Sequence, residues 1–185
     1  MSGLTRRGAI LYGSALLGLS ACGNGVGGSG AAQLDARVDA TRDFLRDRYP
    51  GTVDLTNRAS GVLYMPLMTE AGLFFGGAYG QGALRINDIT VDYYSATQAS
   101  WGLQVGAQQY AHALFFMTPQ ALADFRRADG WVAGADAKYA TPEGGGSLGA
   151  DTTTTTSPVV AMVFGQAGFI AGATVEGTKY TRIIP

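Results

Sequence analysis

Cys22 is the only cysteine in the chain, and it ends the run Leu19-Ser20-Ala21-Cys22. A thiol at such a position can act as a nucleophile, a metal ligand or an acyl acceptor. In an apolar core it would be only a small hydrophobe. With no second cysteine a disulfide is impossible, so the core carries stability without covalent help. His112 is the only histidine, and with Cys22 it is too little for a zinc site, which needs several nitrogen or sulfur ligands. Asp124 and Asp129 flank Arg126-Arg127, a pattern of a solvated helix end rather than an acid/base pair. None of the Gly-rich stretches joins a strand to a helix with the Lys-Ser/Thr ending of a phosphate cradle. Lys179 and Arg182 fall on opposite faces of an extended strand and so make no joint basic pocket. The residues therefore give no expectation of an enzyme, a metal or a cofactor.

What precedes Cys22 decides its chemistry. Arg6-Arg7 open a basic patch, an apolar and small-residue stretch runs from Ile10 to Gly18, and Gly23 follows the cysteine. The stretch is too short to span a bilayer, and small residues precede a cleavage point. The whole resembles a bacterial lipoprotein signal, in which residues 1–21 are removed and Cys22 is acylated. That resemblance implies diacylglycerol and palmitate on Cys22. It implies a place in the cell envelope, with Gly23 favouring the periplasmic face of the outer membrane. Thr5-Arg6-Arg7 leaves both general and twin-arginine export open.

Removal of the first 21 of 185 residues leaves 164, enough for one domain with a core. The loss of Arg6 and Arg7 takes the basic residues from 13 to 11 against 14 acidic. This mildly acidic body argues against nucleic acid held through phosphate contacts. From Cys22 to Ala32 the chain is a lipidated cysteine followed by a Gly/Ser tether with little apolar surface to bury.

Residues 33–185 read as one α+β domain. Gln33 to Arg48 is the clearest helix, with Leu34, Val38, Thr41 and Leu45 on one stripe, widened by Phe44. Tyr49-Pro50-Gly51 ends it. Its polar face sets Arg37, Arg42, Arg46 and Arg48 against Asp35, Asp39, Asp43 and Asp47, with Asp39–Arg42 and Asp43–Arg46 at the favourable i, i+3 spacing. A helix that docks on anionic lipid carries a basic excess. This balanced one reads as a helix packed on its own domain. From Gly61 the texture is β: a short run Val62 to Met65 stopped by Pro66, then strands or strand pairs over 72–86, 90–95, 100–117, 131–139, 152–164 and 168–184. Asn87-Asp88 is a turn. Thr118 caps a short helix with Pro119 in its first turn, and Asp129-Gly130 closes it. Thr141 to Asp151 reads as a loop.

Trp101 to Phe115 alternates most clearly. Trp101, Leu103, Val105, Ala107, Ala111, Ala113 and Phe115 share a core face. Tyr110 and His112 share the other, which is expected to be polar and wet or to face a partner, with His112 bonded to Gln104 or Gln108. Glycine makes up 28 of 185 residues, about twice the usual share. The pattern Gly, apolar, two variable residues, Gly, small recurs at Gly72, Gly102 and Gly168. Strand glycines of this kind permit tight coiling of a compact sheet.

Four blocks carry a family resemblance. Gly61 to Pro66 followed by Ala71 to Leu84 resembles the opening of the SYLF domain, and Phe164 to Gly172 with Glu176-Gly177-Thr178 resembles its close. Ser100 to Gln108 and Ala113 to Met117 match between them. The resemblance implies a lipid-binding body, because eukaryotic members bind phosphoinositide membranes partly through an N-terminal amphipathic helix; some fungal members engage actin. The corresponding candidates here are Arg37, Arg42, Phe44 and Arg46. Membrane phospholipid is the implied partner, with an envelope protein as the alternative, and the oligomeric state stays open. The expected fold is a strongly curved antiparallel sheet or partly closed barrel with an N-terminal amphipathic helix and a short second helix.

Overall fold

The computed structural model of the protein describes residues 29–72, 75–101, 106–134, 138–139, 142–143, 147–148, 157–165 and 175–185. Cys22 and the tether up to residue 28 lie outside them. So do 102–105 and 166–174, which hold most of the second and third glycine repeats, and 151–156.

Helix α1 runs over Ser29–Arg48, four residues earlier than the stripe alone places it. Its buried residues are Leu34, Val38, Thr41 and Leu45, as the periodicity predicts. Pro50 does not end helical structure for long. A second helix, α2, follows at Gly51–Arg58. Its Gly, Val, Thr and Asn are weak helix formers, and side-chain bonds to the preceding turn and within the helix supply what propensity lacks. The Thr52 hydroxyl lies 2.8 Å from the Tyr49 carbonyl and 3.1 Å from that of Leu45, and Arg58 pairs with Asp54 at 2.8 Å.

Four long strands follow: β1 Gly61–Gly72, β2 Phe75–Ile86, β3 Ile89–Trp101 and β4 Gly106–Phe116. Strand β1 is not stopped by Pro66. The register slips past it on both sides, between Tyr64 and Leu67 against β2 and between Met65 and Met68 against β4. A bulge absorbs the residue that has no N–H to give the ladder. Asn87 and Asp88 have φ of 51° and 62° and form the two-residue turn between β2 and β3. Helix α3, Pro119–Arg127, starts as expected, with the Ala121 N–H donating to Thr118 Oγ1 at 3.1 Å.

Short strands complete the chain: β5 Trp131–Val132, β6 Lys138–Tyr139, β7 Pro142–Glu143, β8 Ser147–Leu148, β9 Val159–Phe164 and β10 Lys179–Ile183. Strands β7 and β8 pair only with each other, a small hairpin within the stretch read as a loop. The others form one sheet in the order β5-β10-β3-β2-β1-β4-β9-β6. It is antiparallel except where β6 lies parallel to β9. The antiparallel part curls into a half-barrel, so the fold is α+β.

Both faces of the sheet are covered at its centre. Under α1 and α2 lie Val62, Tyr64, Ala83, Ala113, Phe115, Val160 and Met162. Inside the curl, Leu63, Met65, Leu84, Leu114 and Phe116 pack with Phe125 of α3 and with Tyr180. This corrects the expectation for β4. The alternation is real, but the side carrying Tyr110 and His112 is core too, with both residues buried. The curl closes over that side, so it is not a wet face. Gly80 and Gly82 of β2 make the tight coiling possible. A side chain on either would run into the main-chain carbonyl of Leu67 or Tyr64 beside the bulge.

Candidate functional site

Beside the first helix lies an open groove whose walls are mainly apolar side chains. Ala40, Thr41 and Phe44 of α1 form one wall. Pro66 at the β1 bulge, Ala111 of β4, and Phe164 with Gly165 at the end of β9 form the floor and the other wall. Its volume is about 390 Å³. The Phe44 ring stacks on that of Phe164, with centroids 5.9 Å apart and planes 19° from parallel. Phe44 also meets Tyr49 edge-on at 6.3 Å. Among the described residues that line it none carries a charge, so the groove favours hydrocarbon over polar ligands.

The charges of α1 are used elsewhere. Arg85 of β2 is only 7% exposed and is bonded to Asp39, with Asp35 at 3.8 Å. Asp35 also accepts from Thr90 and Tyr93, each at 2.8 Å. Burial and this carboxylate push the Tyr93 phenol up to about 12. Arg42 pairs with Asp39 at 3.3 Å, as the i, i+3 spacing predicts, and with Asp43 at 3.0 Å. Arg46 does not take Asp43. It reaches Asp88 in the β2–β3 turn at 3.1 Å, and Arg42 approaches the same carboxylate at 3.7 Å. A polar cleft of about 160 Å³ lies there, lined by Arg46, Tyr64, Arg85, Asn87 and Asp88.

Of the four candidates from sequence, Phe44 alone lines the groove. Arg42 and Arg46 hold the helix to the sheet, and Arg37 is exposed on α1. Pro66, Ala111 and Phe164 were not singled out. The signal that could have found them is the proline inside a strand, which marks a bulge and with it a depression in the sheet.

Of the two glutamines expected beside His112, Gln104 lies outside the described residues, and the partner found among the described ones is Tyr180. The His112 Nε2 lies 2.8 Å from the Tyr180 hydroxyl, while its Nδ1 is buried without a hydrogen bond. Burial lowers its pKa to about 3, so the imidazole is neutral. Among the described residues there is no cluster of three or more potential metal ligands, and no helix is long and apolar enough to cross a membrane.

Fold and groove define the class: an α+β domain with an open apolar groove between its first helix and a curled sheet. Residues 97–182 match the family model Ysc84, described as "Las17-binding protein actin regulator", a span that is similar to the Ysc84 (SYLF) domain. The match begins within β3, downstream of the opening block at 61–84. No curated protein matches the chain.

Proposed function

We propose that this protein is a membrane-anchored envelope lipoprotein whose SYLF body binds phospholipid, taking an acyl chain into the groove beside α1. The groove carries the reading. Its volume of about 390 Å³ lies within the range of roughly 300–1,000 Å³ common for small-ligand sites. Its uncharged walls suit a ligand that gains about 0.8 kcal/mol for each methylene it buries. The anchor rests on the Leu19-Ser20-Ala21-Cys22 run, which supports acylation of Cys22, and Gly23 after it favours the periplasmic face of the outer membrane. The reading assigns no catalytic step: the lone imidazole is buried against Tyr180.

Vesicle co-sedimentation of the full chain carrying Cys22→Ser removes the acyl anchor and tests the body. Binding should persist, and Ala111→Trp, which fills the groove, should weaken it. Failure to bind every anionic and zwitterionic vesicle tried would sink the lipid reading.

A rival is a protein-interaction module of the envelope without lipid binding. It is favoured by the matching family's description as a binding protein for Las17. It requires a stoichiometric protein partner in pull-downs from membranes.

A further inference from the structure

Helix α1 covers only part of its face of the sheet. Ala83 lies under the helix, and Gln81 and Tyr79 follow on the same side of β2, because strand side chains alternate. Cross-strand pairing extends that side into two rows. The first runs Gln109, Thr69, Tyr79, Thr97, Lys179 across five strands. The second runs Leu67, Gln81, Ser95, Thr181. All are exposed except the half-buried Ser95, and no helix among the described residues covers them. Tyr79 is 52% and Leu67 41% exposed.

Resting on the lipid reading above, we propose that this bare sheet face is the surface that lies on the phospholipid bilayer. Three observations carry it. First, the two rows contain no carboxylate, in a chain with 14 acidic residues, and their one charge is the cation Lys179. Glu70 and Asp92 belong to the opposite side of their strands, by the same alternation. A face without acids meets anionic headgroups without repulsion, whereas the exposed side of α1 carries Asp43 and Asp47, balanced by Arg37 and Arg48. Second, the side chains suit a headgroup layer. Threonine, glutamine and serine exchange hydrogen bonds with water and phosphate, and an exposed tyrosine ring is apolar at its body and polar at its tip. Third, the face is continuous with the groove. Pro66 of the groove precedes Leu67, and Ala111 of the groove is followed on the same side of β4 by Gln109. A lipid leaving a bilayer held against this face would meet the groove without crossing a charged rim.

The test places an environment-sensitive fluorophore at Thr97→Cys, and separately at Asp47→Cys on α1, in the full chain with Cys22→Ser. Vesicles of phosphatidylcholine and phosphatidylglycerol are the probe. In the same proteins, calorimetry with monomeric dihexanoylphosphatidylcholine reads groove occupancy. The expected result is a blue shift at position 97 and none at 47. A shift at 47 alone, or at neither position, overturns the face. A shift at 97 in protein without vesicles, accompanied by dimer in sedimentation velocity, also overturns it and makes the occupant a second copy. Monomer uptake without a shift at 97 leaves the groove standing and the face wrong. A shift at 97 without uptake does the reverse. Gln81→Cys on the neighbouring row repeats the reading if Thr97→Cys does not fold.

Discussion

Arg85 of β2 and Asp39 of α1 form an ion pair across the seam between sheet and helix, with the guanidinium almost wholly withdrawn from water and the carboxylate half exposed. A second carboxylate, Asp35, stands 3.8 Å from the same guanidinium. The pair therefore fixes where the first helix sits more than it adds stability, since burying a cation offsets much of the attraction.

Removing one partner should accordingly cost more than removing both. Asp39→Ala leaves Arg85 buried beside Asp35 alone and should destabilise by about 1–3 kcal/mol. Arg85→Met combined with Asp39→Ala should recover part of that loss. Urea unfolding of the two single variants and the double variant would measure the coupling. Simple addition of the single costs would show that the two residues act independently.

His112 predicts a pH dependence. Its folded pKa is about 3, against about 6.5 in an unfolded chain. Below pH 6.5 the unfolded state takes up a proton that the folded state refuses. The stability it contributes is therefore complete above pH 6.5 and is lost as pH falls towards 3. The loss should reach about 2 kcal/mol between pH 8 and pH 5. Tyr110 and Tyr180 lie against the ring, and phenols do not titrate in that window. His112→Gln, which keeps an acceptor for the Tyr180 hydroxyl, should flatten the profile above pH 5. An unchanged slope in that variant would place the titrating group elsewhere.

Gly82 and Gly77 lie on the same strand and should differ sharply. At Gly82 an added methyl would occupy the space of the Tyr64 carbonyl and the Met65 sulfur. Gly82→Ala should cost about 3 kcal/mol. At Gly77 the nearest atom is the Gln98 carbonyl oxygen at 3.2 Å, on an exposed part of the strand. Gly77→Ala should change stability by less than about 1 kcal/mol. Thermal unfolding of both variants makes the comparison, and equal losses would mean that the bulge does not set the close approach.

Thr52 tests how α2 survives its composition. Thr52→Val keeps the shape and removes the hydroxyl that serves the Leu45 and Tyr49 carbonyls. A loss of about 1 kcal/mol is expected. It should be accompanied by faster amide exchange in residues 51–58 than in α1. Unaltered exchange there would assign the stability of α2 to Leu55 packing instead.

The elements legible in the sequence are those specified by their own neighbours. The stripe of α1 needs only its period. Asn87-Asp88 needs only two residues that tolerate positive φ, and α3 needs only a threonine cap and a proline behind it. Helix α2 was not legible because its decisive bond comes from the helix before it. The passage of β1 through Pro66 was not legible because a bulge is agreed between strands. Alternation in β4 separated two sides correctly, yet could not tell that the curl would bury both. Phe44 belonged to a readable stripe. Its companions Pro66, Ala111 and Phe164 come from three strands spread over 99 positions of chain, counted from 66 to 164, and only the strand order β1-β4-β9 brings them together. Arg42 keeps the partners its own helix offers, Asp39 and Asp43, but the carboxylate that claims Arg46 lies in the turn after β2.

β1 is the first strand in the chain and lies inside the sheet, with β2 on one side and β4 on the other. The stretch that carries the family signature, 97–182, contains neither β1 nor β2. Cut out on its own, it would leave β4 without its neighbour along residues 106–116. The open row of N–H and C=O groups would become a template for self-association. The recognisable segment and the cooperative folding unit are thus different lengths of chain. A soluble fragment should begin no later than α1.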